Sequence, residues 1–155
     1  RIPRYYLSLI KEQGDGIYRQ CIPSSEEILD TFGEEDPLNE EPEHQERKGV
    51  PSLLTHRYPD RALFRISNSC AMYCRFCTRK RKVGNINRQP KEEDIIEGLE
   101  YLNSHKEIND VILSGGDPLM LSDYQLEKII KQVEIGIFLA ILTKMEMEEL
   151  IGVMS

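Results

Sequence analysis

The chain has 155 residues, of which 39% are hydrophobic and 30% charged, and its formal net charge is −7. That length allows one domain with its own core, and the composition is ordinary for a soluble globular protein. The acidic balance argues against nucleic acid as the main partner, and no apolar run approaches the ~20 residues of a membrane span.

The first residue is Arg1 rather than Met, which reads as a piece of something longer, and no signal peptide is visible. Ile2 to Lys11 carries Tyr5 and Leu9 among apolar neighbours at helical spacing. Ser24-Ser25-Glu26-Glu27 has the form of a capping box, with Ser24 as N-cap, opening a short helix through Ile28 and Leu29 that stops near Gly33. From Glu26 to Glu46 there are ten acidic residues and no Lys or Arg; Glu34 to Pro51 also holds three prolines and reads as a solvated acidic loop. Residues 1–60 are therefore expected to form a helical N-terminal extension with an acidic loop.

The pattern changes at Arg61. Ala62 to Ile66 reads as a strand, and it runs into a cysteine-rich loop. Pro90 suits the first position of a helix, with Glu92, Glu93 and Asp94 at its positive end and Ile95, Leu99 and Leu102 as its apolar stripe. Val111-Ile112-Leu113 is a short buried strand ending in Ser114-Gly115-Gly116-Asp117-Pro118. Ser122 and Gln125 make a second capping box, Leu121 can staple to Leu126, and the helix continues through Ile129, Ile130 and Val133. Ile135 to Leu142, the longest apolar run, reads as a third strand, and Lys144 to Met154 as a weaker helix. Alternation of strand, loop and helix at this spacing predicts βαβ units and a parallel sheet over residues 61–133, with residues 134–155 as a tail. Ligands of such folds bind at the carboxyl ends of strands, where the cysteine loop and the glycine turn both fall.

Three of the four cysteines, Cys70, Cys74 and Cys77, lie within eight residues with spacing C-x3-C-x2-C. From Arg75 to Lys82 there follow five basic residues and no acid. Bunched thiols without a secretory context fit a reducing cytoplasm and a metal site better than disulfides. A structural zinc would need a fourth ligand, Cys21 or one of His44, His56 and His105. A four-iron cluster held by three cysteines leaves one iron open for a substrate or cofactor, and adjacent positive charge favours thiolates. Simple packing of three thiols among polar neighbours fits the pattern poorly. Elsewhere, the two glycines of the SGGDP turn allow close backbone approach, and Asp117 can accept from an ammonium group. Arg57 and Arg61, four apart with Tyr58 between, can clamp a phosphate; the plain alternative is an exposed loop with an internal Arg–Asp pair. Cys21 reads as a packing residue.

C-x3-C-x2-C after a strand, with an aromatic residue, Phe76, before the third cysteine, resembles the signature of the radical S-adenosylmethionine (SAM) enzymes. The resemblance implies a [4Fe–4S] cluster on Cys70, Cys74 and Cys77, SAM on the open iron, and Phe76, Gly115, Gly116 and Asp117 among the cofactor-binding positions. It implies a (β/α) barrel, here a partial and incomplete one, and reductive cleavage of SAM to a radical that abstracts hydrogen from substrate.

Taken together, THRYPDRALF, SCAMYCRFCTRKR and DVILSGGDPL, with IPRYYLSLI and EEDPLNEEP before them, resemble the lysine 2,3-aminomutase family over about residues 1–133. That family also uses pyridoxal phosphate (PLP) and moves an amino group from the α to the β carbon, making it a radical SAM isomerase. The resemblance assigns Arg57, Tyr58 and Arg61 to PLP and Arg79 to the substrate carboxylate, and leaves Lys80, Arg81 and Lys82 without a role. It implies an amino acid substrate, lysine or similar, and a reducing donor such as flavodoxin or ferredoxin. The family's PLP lysine lies downstream, and no lysine of this chain stands in that context. The tail lacks the family's continuation, so the expectation is a truncated chain, inactive in amino migration alone, whose open sheet edge is completed by a partner chain or another copy. The competing readings are a non-catalytic zinc- or cluster-binding module and a non-functional remnant.

Overall fold

The computed structural model describes residues 2–133 and 138–141. Four strands form one sheet in the order β1-β2-β3-β4: β1 Leu54–Tyr58, β2 Arg61–Ser67, β3 Asp110–Gly115 and β4 Phe138–Ile141. The β1–β2 pair is antiparallel, whereas β2–β3 and β3–β4 are parallel. The sheet is thus a small open mixed one with its parallel part where alternation predicts it. The strand β1 is a finding: Tyr58-Pro59-Asp60-Arg61 turns the chain back on itself, so His56, Arg57 and Tyr58 belong to a hairpin rather than to a loop. It lies before residue 60 and pairs across that position.

The core follows from period-2 alternation on the parallel strands and the apolar stripes of two helices. Ala62, Phe64 and Ile66 of β2 and Val111 and Leu113 of β3 point to one face. There they meet Leu54 of β1, Leu99 and Leu102 of α4 (Glu92–Ser104), and Ile129 of α5 (Asp123–Ile130). Gly98 lets α4 come this close, because a Cβ there would sit 2.5 Å from the Phe64 ring. The helix α4 starts after Pro90, with Lys91 as N-cap, so the proline precedes the helix instead of opening it. The Ser122–Gln125 capping box forms as read, and Leu121 and Leu126 both pack against the core.

The N-terminal part supplies three short helices, α1 Arg4–Leu9, α2 Gly16–Cys21 and α3 Glu26–Leu29. Glu27 does reach back to the Ser24 N–H, at 3.1 Å, although Ser25 takes the N-cap position. Ile2, Tyr6, Ile10 and Ile17 pack around a second buried cluster of Cys21, Met72 and Cys74. No helix among the described residues is long and apolar enough to cross a membrane. The expected strand at Ile135 to Leu142 is described only over Phe138–Ile141, and the expected helix from Lys144 to Met154 lies outside the described residues.

Candidate active site

The face of β2 and β3 turned away from α4 carries polar groups, Arg61 and Arg65 on β2, and Asp110 and Ser114 on β3. Over it folds the acidic segment 36–41. The acidic loop is solvated only in part: Glu34, Glu35, Glu43 and Glu46 are exposed, whereas Asp36 and Glu40 are buried. Buried charge is costly unless paired and hydrogen-bonded, and the acidic and basic runs satisfy each other. Arg79 meets Glu40 through two bonds, Nε at 2.7 Å and Nη2 at 2.6 Å. Arg81 pairs with Asp36 and, through Nε at 2.6 Å, with Glu41; Lys82 Nζ lies 3.0 Å from Glu41. Arg81 and Lys82 are therefore buried ion-pair members, not the solvated charges that the absence of an assigned role suggests.

Asp36 organises this segment. Its carboxylate accepts from the Glu40 N–H at 3.1 Å and the Glu41 N–H at 3.0 Å, and lies 2.8 Å from His44 Nδ1. Burial acts to raise its pKa, but the two backbone donors, His44 and Arg81 outweigh it and hold the carboxyl well below the usual range. Glu41 is treated likewise: burial opposes, yet Arg81 and Lys82 hold it low. Gln45 fastens the segment to β1, donating to the Glu40 and Leu54 carbonyls at 3.4 and 2.9 Å and accepting from the His56 N–H at 3.1 Å.

The cysteine loop leaves the carboxyl end of β2. Asn68 and Gln89 close its base: the Asn68 N–H donates to Gln89 Oε1 at 3.1 Å, the Asn68 side chain donates to the Arg88 carbonyl, and Gln89 Nε2 donates to Ser69 Oγ at 2.8 Å. The Arg75 N–H reaches the Gln20 carbonyl at 2.8 Å, and its guanidinium binds Glu27, at 3.0 Å from Nε. The Arg75 side-chain bond, helped by the Ser24 N–H, lowers the Glu27 pKa to about 2. Beside this loop runs the glycine turn after β3. The Gly116 N–H donates to the Ser67 carbonyl and the Asp117 N–H to the Ser69 carbonyl, both at 2.7 Å. Gly115 has φ +126°, and a Cβ at Gly116 would fall 2.3 Å from the Ser69 oxygen and 3.0 Å from Cys70 Sγ. The close approach these glycines permit is to the cysteine loop itself.

None of the four cysteines is in a disulfide. Three thiols on one short loop are the soft donor set that iron–sulfur clusters take, so the residues fit by donor chemistry. As placed, Cys74 is buried beside Cys21 and Met72, with its thiol 3.9 Å from the Met72 carbonyl, while Cys70 and Cys77 are partly exposed. Among the described residues no three His, Cys, Asp or Glu side chains converge as a metal site. The histidines are engaged elsewhere: His44 on Asp36, His56 on the Tyr101 hydroxyl at 2.8 Å, and His105 stacked on Tyr101. Cys21 packs, donating to the Ile17 carbonyl at 2.8 Å, and burial pushes its thiol pKa up.

The other expected site residues divide into two groups. Phe76 is exposed and lines a cleft with Cys77, Thr78 and Lys80. Asp117 caps the turn that follows, accepting from the Leu119 N–H at 3.0 Å. Arg79 touches both motifs, donating from Nη1 to Ser114 Oγ at 3.0 Å. Arg57 donates to the Leu38 carbonyl, two residues from Glu40, and so joins the same segment as Arg79. Tyr58 and Arg61 face each other across the hairpin, at the end of β2 away from the cysteines, and Arg61 pairs with Asp110 at 3.0 Å rather than with Asp60. Sequence reasoning did not single out Glu40, Asp36, Asn68 or Gln89. The signal for the first two is the match between an acid-only run and a base-only run; nothing local marks the other two.

The radical SAM superfamily model matches residues 64–155, and the chain belongs to that superfamily. Within it, the chain is similar to L-lysine 2,3-aminomutases: 48% identical over 137 residues to that of Methanococcus maripaludis and 42% over 135 residues to that of Clostridium subterminale. It is also 38% identical over 135 residues to the glutamate 2,3-aminomutase of Clostridioides difficile. These matches cover 85 to 86% of this chain and 30 to 31% of those relatives, so the chain spans about a third of their length.

Proposed function

We propose that this chain carries the cluster- and SAM-binding part of an amino acid 2,3-aminomutase of the lysine 2,3-aminomutase type, an isomerase that also uses PLP. The observation that carries the reading is the seating of Gly116 against Ser69 and Cys70, which puts the glycine turn on the cysteine loop at the carboxyl ends of adjacent parallel strands. Cys70, Cys74 and Cys77 hold the [4Fe–4S] cluster, which requires the Cys74 thiol to turn out from its pocket beside Met72. Gly115, Gly116, Asp117 and Phe76 face SAM. When bound, cluster and SAM supply the radical that removes hydrogen from substrate. Arg57, Tyr58 and Arg61 hold PLP, which requires Arg61 to leave Asp110 at the end of β2 away from the cysteines, and Arg79 binds the substrate carboxylate, for which a planar fork of donors is suited.

The parallel strands are then the first units of a partial (β/α) barrel, and further chain, a partner or a second copy covers its open edge. The substrate is lysine or a similar amino acid, the electron donor is a flavodoxin or ferredoxin, and the compartment is a reducing, cytoplasmic one, in keeping with four cysteines outside any disulfide. The family resemblance puts the PLP-anchoring lysine downstream of the matched segment, so this segment is assigned cluster and SAM binding and amino migration is assigned to the whole enzyme.

Anaerobic reconstitution tests the assignment. The expected result is about four irons and matching sulfide per chain, with an electron paramagnetic resonance signal of the reduced cluster that changes on adding SAM. Zinc in place of iron, or a cluster signal indifferent to SAM, refutes it.

A further inference from the structure

Arg79 is held by more than its own backbone. Glu40 takes the Nε and Nη2 donors along one edge of the guanidinium, and Nη1 reaches Ser114 Oγ. Both members of the pair are nearly out of solvent, with side chains 15% and 8% exposed. Glu40 is fixed in turn by Asp36, which accepts from its N–H, and by Gln45, which ties its carbonyl to β1. A carboxylate held at both backbone atoms is a built support, not a flap lying on the site.

Charge counting leaves this support one carboxylate short of balance. Four cations, Arg65, Arg79, Arg81 and Lys82, share the cluster with three carboxylates, Asp36, Glu40 and Glu41. Arg65 has amide and carbonyl partners, Asn68 Oδ1 at 2.9 Å and Ser52 O at 3.4 Å, and among the described residues no carboxylate pairs with it. These seven groups together hold one positive charge in excess. A single incoming carboxylate balances it with Glu40 still in place. An anion that had to displace Glu40 would instead expel a buried charge into the surrounding turn.

We propose that Glu40 is the positioning residue for Arg79, holding the Nε and Nη2 edge of its guanidinium while the Nη1 side, which rests on Ser114 Oγ and the Gly115 carbonyl, is the side that turns to the carboxylate of an amino acid. This rests on the assignment of Arg79 given above and adds a residue to it. The test uses the chain with Glu40→Gln, Glu40→Ala and Arg79→Lys, each checked for folding by circular dichroism. Two probes differ only in the carboxylate: L-lysine and 1,5-diaminopentane. Calorimetry measures their affinities, and nuclear magnetic resonance measures solvent exchange at the Arg79 Nε–H, which a bidentate pair slows.

Expected are loss of about tenfold in L-lysine affinity in both Glu40 variants, no change for the diamine, and faster Nε–H exchange in Glu40→Ala. Tighter L-lysine binding in Glu40→Gln overturns the proposal, because Glu40 would then compete with the ligand. Unchanged L-lysine binding in both Glu40 variants, with weakening in Arg79→Lys, also overturns it and leaves Arg79 as the carboxylate site. If the unmodified chain does not distinguish the two probes, the assignment of Arg79 fails by itself. The exchange rate then decides the positioning contact: unchanged exchange in Glu40→Ala removes it.

Discussion

Each side chain of the site works through a neighbour. Cys21 and Cys74 share one pocket, yet only Cys74 belongs to the C-x3-C-x2-C set. Replacing Cys77 by Ala is expected to abolish retention of the cluster. Cys21→Ala should leave iron content unchanged while costing about 1 kcal/mol of stability from the small cavity; iron analysis beside thermal melting separates the two. His56 is a second case. It is buried on β1, bonded to the Tyr101 hydroxyl of α4, with the Pro59 carbonyl and the His105 ring beside it. Burial lowers its pKa first; the Pro59 carbonyl opposes this, Arg47 and His105 add to it, and Glu107 opposes it. A histidine lowered in the folded state takes its proton more readily when unfolded. Its contribution is therefore complete above pH 6.5 and is lost as the pH falls below that value. His56→Phe removes this step from the stability profile and takes the imidazole from the Tyr101 hydroxyl, leaving it Arg47, at a cost of about 1 kcal/mol measured by denaturant titration.

Among the elements, the contact of α4 with β2 is the tightest. Gly98 faces Phe64, which is fully buried, so a methyl group there must displace the ring or the helix. Gly98→Ala gains about 1 kcal/mol of helix propensity but loses more to overpacking, typically ~1–3 kcal/mol. The expected outcome is a lower melting temperature, and a shorter residue at Phe64 should restore part of it. The capping box of α5 is simpler: Ser122→Ala removes the acceptor for the Gln125 N–H and should cost about 1 kcal/mol. These elements were readable because their signals are local. Capping residues, the apolar stripe of α4 and the short apolar run of β3 act within a turn or two of chain. Pro90 misled by one step, since a proline serves as well before a helix as at its first position. The hairpin strand β1 escaped notice because THRY carries no apolar alternation; pairing with β2 makes it a strand.

For the whole molecule, the ion-pair cluster binds the N-terminal segment to the sheet and the cysteine loop. Asp36 and Glu41 both lie below their ordinary values of 3.8 and 4.5. Carboxylates lowered in the folded state contribute stability that is present above those values and is lost as pH falls below them. Acid should therefore release segment 36–41 from the sheet, in a step separate from and below that of His56. Hydrogen exchange of the Glu40 and Glu41 amides, followed against pH, checks it. Sequence by itself determined the chemistry: thiol spacing, the glycine turn and their place after strands are local facts, and they sufficed to reach the superfamily. Only the tertiary structure decided what the charged runs do. An acid-only stretch and a base-only stretch separated by some thirty residues have no local sign of meeting. Whether each is solvated or paired depends on burial, and burial is a property of the folded chain. Glu40 on Arg79, Asp36 on Arg81 and the seating of Gly116 on Cys70 are contacts between segments that only the sheet brings together.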